Sequence, residues 1–165
     1  MSSGWIEAPE HLVIDTVPLL LLLVGAFDPD YLPKFKRLST YGYSEKDYYI
    51  LCKFILSTKM VFVTPGVLSE ISNFLENDKH FSEILHRNLE FLVKLKEIYV
   101  NKINILTSNE VFEIAFTDTS LVLAAKSNNG CILTRDFKLW GICKKIGVAS
   151  FHLDHILAEG NLVSN

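Results

Sequence analysis

The sequence predicts an α/β fold, a three-layer α/β/α sandwich around a central parallel sheet. Three observations lead there. Short apolar runs with strand character (LVID at 12–15, MVFVT at 60–64, CILT at 131–134) alternate with stretches whose apolar residues recur at helical spacing. Strands alternating with helices favour a parallel sheet covered on both faces. At 165 residues, with no internal repeat, low-complexity tract or linker, the chain suits one domain over residues 1–165 with a full core.

Residues 12–15 read as a buried strand. Thr16-Val17-Pro18 then starts a helix, with proline in the first turn, where its missing N–H costs nothing. Residues 17–27 are apolar almost throughout, but this is only about half the ~20 residues that span a bilayer. Asp15, Asp28 and Asp30 also flank the run, so a helix buried on nearly all sides is expected, and no membrane association. No basic stretch opens the chain, which argues against a signal peptide. Residues 28–43 mix turn formers, aromatics and bases. Ser44, with Asp47 three residues on, is a helix N-cap for a segment reaching about Ser57.

Met60–Val63 predicts the second strand, and Thr64-Pro65 opens the next helix. There Val67, Leu68, Ile71, Phe74 and Leu75 keep helical spacing, with Glu70 at the edge of the stripe. A long helix is predicted over about 81–100, a strand over 103–106, and a helix over 108–115 capped by Ser108. Residues 118–126 predict a small-residue helix ended by the Asn128-Asn129-Gly130 break. Cys131–Thr134 is a strand, Phe137–Ile146 a helix, and 147–153 a last strand.

Hydrophobic residues make up 49% of the chain and mean hydropathy is +0.25, which excludes a disordered protein. A net charge of −3 argues against holding nucleic acid by bulk charge but permits a local basic rim. Cys52, Cys131 and Cys143 show no CxxC spacing and each lies in an apolar run. Buried free thiols and a reducing, cytoplasmic setting are the expectation.

Four carboxylates carry the functional signal: Asp15, Glu70, Asp118 and Asp136. Three follow strand-like runs, and Asp118 opens the small-residue helix. In an open α/β sheet the carboxyl ends of the strands form the ligand crevice, so acids delivered there from distant parts of the chain converge. A pocket of oxygen ligands without a compensating base suits a hard cation such as Mg2+ or Mn2+. Each acid also has a structural reading. Asp118 and Asp136 stand where N-caps stand, and a helical Glu is usually solvated. Asp15, between an apolar strand and an apolar helix, is costly to bury as a charge unless it has work there. Arg135 and Lys138 flank Asp136, either to meet a backbone phosphate or as a solvated face.

The strings VIDTVPLLLLL, VFVTPGVLSEI, FTDTSLVLAA and GCILTRDFKLWGICKKIGVASFHL, in that order and across nearly the whole chain, resemble a PIN-domain nuclease. The closing string is the most specific: a strand ending T-R-D, a helix, then a glycine-initiated strand. The resemblance implies a PIN-like fold, with Asp15, Glu70, Asp118 and Asp136 as the catalytic, metal-binding acids and Thr134 at the hydroxyl position that serves substrate. It implies cleavage of RNA, or less often DNA, and a toxin of a toxin–antitoxin pair with an antitoxin partner. Two departures stand out. Residues 28–58 add a loop and helix between the first two acids, and Lys138 replaces a further acid found in some members.

The inserted segment interleaves Tyr31, Phe35, Tyr41, Tyr43, Tyr48 and Tyr49 with Lys34, Lys36, Arg37 and Lys46. Such residues either pack the segment onto the domain or a second subunit, giving a homodimer, or hold single-stranded nucleic acid by stacking and charge. Rival chemistries find less support. No phosphate-binding glycine loop and no GxSxG occur, and a haloacid-dehalogenase-type phosphatase would need Asp where Val17 stands. His152, Asp154 and His155 lack a fourth zinc ligand at recognisable spacing. The remaining alternative is a catalytically silent PIN-like module that binds RNA or a protein.

Overall fold

The computed structural model describes residues 6–163; the expectation about the chain's opening residues lies partly outside them. One sheet contains β1 (His11–Ile14), β2 (Met60–Val63), β3 (Lys96–Glu97), β4 (Cys131–Thr134) and β5 (Ser150–His152). All pairings are parallel and the order is β3-β2-β1-β4-β5. The helices are α1 (Thr16–Phe27), α2 (Glu45–Leu56), α3 (Pro65–Leu75), α4 (Phe81–Lys94), α5 (Lys102–Leu106), α6 (Phe116–Asn128), α7 (Phe137–Ile146) and α8 (Leu153–Val163). They flank the sheet as a three-layer α/β/α sandwich.

The chain winds outward from β1 through β2 to the β3 edge, then returns to place β4 on the other side of β1. Right-handed crossovers therefore put α1 and α4 on one face and α6 and α7 on the other. The reversal creates a topological switch point at the carboxyl ends of β1 and β4, the usual crevice of such sheets. Register brings the key residues together there. Ile14 pairs with Leu133, and the Asp15 N–H donates to the Leu133 carbonyl at 3.0 Å.

The apolar run after Asp15 forms α1, in which every residue from Thr16 to Gly25 is buried. No helix among the described residues is long and apolar enough to cross a membrane. Gly25 sits where a Cβ would come within 2.3 Å of the Tyr48 ring, so only glycine lets α2 lie this close to α1. The Ser44–Asp47 capping box forms as expected and starts α2. Tyr31, Phe35, Leu38 and Tyr43 of the inserted segment are buried, which fixes it to the domain. Cys131 and Cys143 are buried free thiols, and Cys52 is half-buried.

Four elements depart from expectation. The long helix stops at Lys94, because Leu95 turns extended and Lys96–Glu97 joins β2 as a two-residue edge strand. Residues 103–106 are helical, not a strand, since the Asn101 side chain accepts the Ile103 N–H and starts a turn. A 3-10 turn (Asn109–Phe112) replaces the helix over 108–115, where the Ser108 hydroxyl donates to Glu110 and caps no helix. The last strand is only three residues long and passes directly into α8.

Candidate functional site

Asp15, Glu70, Asp118 and Asp136 line a single cleft of about 300 Å³ at the switch point. Each arrives by a different element. Asp15 closes β1, Glu70 projects from α3, Asp118 stands in the first turn of α6, and Asp136 caps α7 beyond β4. The convergence expected of the four acids is therefore present in the fold.

Asp15 is buried, with 8% exposure, and both its oxygens are held. Oδ1 accepts the Thr16 N–H at 2.6 Å, and Oδ2 accepts the Thr134 hydroxyl at 2.6 Å. Burial raises its pKa, these hydrogen bonds pull it back, and the charges of Glu70 and Asp136 raise it further. Glu70 accepts the Thr16 hydroxyl through Oε2 at 2.6 Å, tying α3 to the start of α1. Asp136 spends only Oδ1 on its cap, accepting the N–H groups of Lys138 at 2.7 Å and Leu139 at 3.0 Å.

Asp118 corrects the capping reading. Helix α6 begins at Phe116 with Ala115 as its N-cap residue, so Asp118 lies inside the first turn and caps nothing. Its carboxylate makes no hydrogen bond within the described residues. Burial, then the charges of Asp15, Asp136 and Glu70, push its pKa up to about 7 from an ordinary 3.8, while Lys138 opposes the shift. Three other acids thus act on a carboxyl group that has no hydrogen-bond donor of its own.

Thr134, expected at the substrate, is instead fully buried. Its hydroxyl donates to Asp15 and accepts the Asp136 N–H at 2.9 Å, so it positions two acids rather than a ligand. If Asp15 and Asp136 serve a cation, replacing Thr134 with Val should lower metal affinity by roughly 10–100-fold, the range for groups that orient metal ligands. Manganese titration of Thr134→Val checks this, and wild-type affinity would remove the positioning role.

Arg135 lines the cleft with its guanidinium 3.9 Å above the Tyr41 ring and 3.5 Å from Asp154. Lys138 does not line the cleft and reaches the site through its charge on Asp118. His152 is buried. Its Nε2 donates to the Arg135 carbonyl at 2.8 Å, its Nδ1 accepts the Asp154 N–H at 3.3 Å, and Phe137 stacks on it at 3.9 Å. These contacts occupy both ring nitrogens and brace the loop that carries Arg135 and Asp136. Three further lining residues went unread in the sequence, Thr16, Val17 and Phe74. Phe74 follows Glu70 by one turn, so their i,i+4 spacing was the available signal.

Among the described residues, no three His, Cys, Asp or Glu side chains form a group that could hold a metal ion as the side chains stand. The donor set itself fits a hard cation. It is all oxygen, it converges on one cleft, and among the described residues the Asp118 carboxylate and Asp136 Oδ2 have no hydrogen bond to give up.

No protein-family model matches the chain, and no curated protein matches it. Among solved structures, it is similar to the crystal structure of PAE2754 from Pyrobaculum aerophilum. The TM-score is 0.56 at 14% identity, covering 96% of this chain and 93% of that chain. At that identity the likeness concerns the fold alone, an α/β/α sandwich around a parallel sheet.

Proposed function

We propose that this protein is a divalent-metal-dependent nuclease on a PIN-like fold, with RNA as the favoured substrate. The observation that carries the reading is the meeting of four acids from four elements in one cleft, where three of them raise the proton affinity of Asp118. Four crowded carboxylates are unfavourable without a cation, so the fold accepts a cost in stability that a ligand would offset. The PIN resemblance of the four strings points the same way, and alone supplies the preference for RNA.

In this reading Asp15, Glu70, Asp118 and Asp136 hold Mg2+ or Mn2+. Such an ion would activate water and take up charge on the phosphate. The protein's own part is positioning. Thr16 holds Glu70, Thr134 holds Asp15 and the backbone of Asp136, and the Asp136 cap fixes that carboxylate at the start of α7. Arg135, stacked on Tyr41 at the cleft wall, supplies a cation for a non-bridging phosphate oxygen.

A panel of labelled RNAs incubated with manganese is expected to be cut by wild type and spared by Asp15→Asn, with chelator abolishing the signal. Equal cleavage by Asp15→Asn would place the activity elsewhere. Binding without cleavage by wild type would favour a silent module.

A further inference from the structure

Beside the acids, the cleft is lined by residues of different chemistry. The Arg135 guanidinium lies 3.9 Å over one ring, that of Tyr41, and the Arg37 guanidinium lies 5.8 Å from the same ring and 5.0 Å from Phe74. All four of these residues line the acid cleft. Two of them come from the inserted segment, so this wall belongs to what sets the chain apart from the compact pattern.

Arg37 and Phe74 also line a second cavity of about 370 Å³, which continues past the stack between Lys36 and Thr40 on one side and Asn73 and Asn77 on the other. The two cavities therefore share a common wall. The continuation contains no carboxylate. Neither Lys36 nor Arg37 makes an ion pair among the described residues, although the acid cleft adjoins them. Two exposed cations left without counter-ions, beside neutral amide and hydroxyl groups, form a surface that suits a chain of phosphodiesters.

We infer that the groove of Lys36, Arg37, Thr40, Asn73 and Asn77 is the path along which a single-stranded polynucleotide leaves the acid cleft. Lys36 and Arg37 hold the phosphates next to the one in the cleft. Tyr41 and Phe74 fix the Arg37 guanidinium by stacking, so little side-chain freedom is lost when it binds. The amides of Asn73 and Asn77 and the Thr40 hydroxyl offer donors and acceptors to sugar and base edges. This inference rests on the nuclease reading and adds the route of the strand.

The test is fluorescence anisotropy with labelled oligouridylate and oligodeoxythymidylate across a salt series, on an Asp136→Asn background that leaves the strand uncut. Lys36→Ala/Arg37→Ala should weaken binding several-fold and flatten the salt slope by about 1.4, or about 0.7 for each lost phosphate contact. Lys34→Ala/Lys46→Ala removes the same charge from residues that line neither cavity, and should leave affinity and slope nearly unchanged. Asn73→Asp, which adds a carboxylate to the groove, should weaken binding without removing a cation. Loss on both probes assigns a grip on phosphate blind to the sugar, and loss on one assigns the strand as RNA or DNA. Equal weakening by the Lys34/Lys46 control, or wild-type binding by both groove variants, overturns the path. If wild type then still cuts RNA and Asp15→Asn does not, the nuclease reading stands without it. If wild type neither binds nor cuts, both fall together.

Discussion

Asp118→Asn is expected to stabilise the metal-free protein above pH 7 while abolishing the proposed metal-dependent cleavage. Unfolded, Asp118 ionises near its ordinary 3.8; folded, burial and the three neighbouring acids push it up to about 7. Below pH 4 the group is protonated in both states and folding loses nothing. As pH rises from about 4 to about 7 the unfolded chain gives up its proton first, so stability falls, and above 7 the loss is complete. Discounted for its partial exposure, this share is on the order of 1–3 kcal/mol. The Asn variant should therefore melt roughly 3–10 °C higher than wild type at pH 8 and equally at pH 4. Asp15, whose pKa is also raised by burial, pushes the wild-type profile in the same direction. Saturating magnesium should close the gap by raising wild type alone. A variant that melts below wild type at pH 8 would show that Asp118 is not held under repulsion.

Asp136→Asn separates capping from chemistry at the exposed acid of the four. Asp136 caps α7 through Oδ1 alone, and asparagine offers the same carbonyl oxygen in the same place. Asn and Asp are about equal as N-caps, so the change should leave stability within ~0.5 kcal/mol, whereas Asp136→Ala should cost ~1 kcal/mol. Cleavage of RNA should fall by roughly 10²–10³-fold in both variants, the range for losing one group that stabilises transition-state charge. Thermal melts read beside cleavage rates decide the matter. An Asn variant that cuts at the wild-type rate would leave Asp136 as a cap only.

The sequence disclosed those parts of the fold that bury apolar surface. The runs ending at Asp15 and Thr134 announced β1 and β4, and the unbroken apolar stretch after Asp15 announced a helix covered on every side. Cap chemistry announced α2 through Ser44 and Asp47. What stayed hidden lacked that signal. Strand β3 is two exposed charged residues, Lys96–Glu97, recruited by backbone pairing with β2 rather than by side chains. The apolar run at 103–106 was too short for periodicity to tell helix from strand. The meeting of the four acids in one cleft was legible because charges rarely end apolar strands without a reason. Their condition was not. That Asp118 sits within the first turn of α6, without a cap to make, depends on where the helix starts at Phe116. The Arg135–Tyr41–Arg37 stack joins residues about 100 positions apart, a contact no local pattern encodes.

The proposed activity requires Asp15, Glu70, Asp118 and Asp136 to form one site for a divalent cation. Isothermal titration of manganese into wild type, Asp15→Asn and Asp118→Asn tests it most directly, since it needs no substrate. One site shared by these acids predicts saturable binding in wild type that both substitutions weaken strongly. Unchanged affinity in both variants, or no binding by wild type, would contradict it.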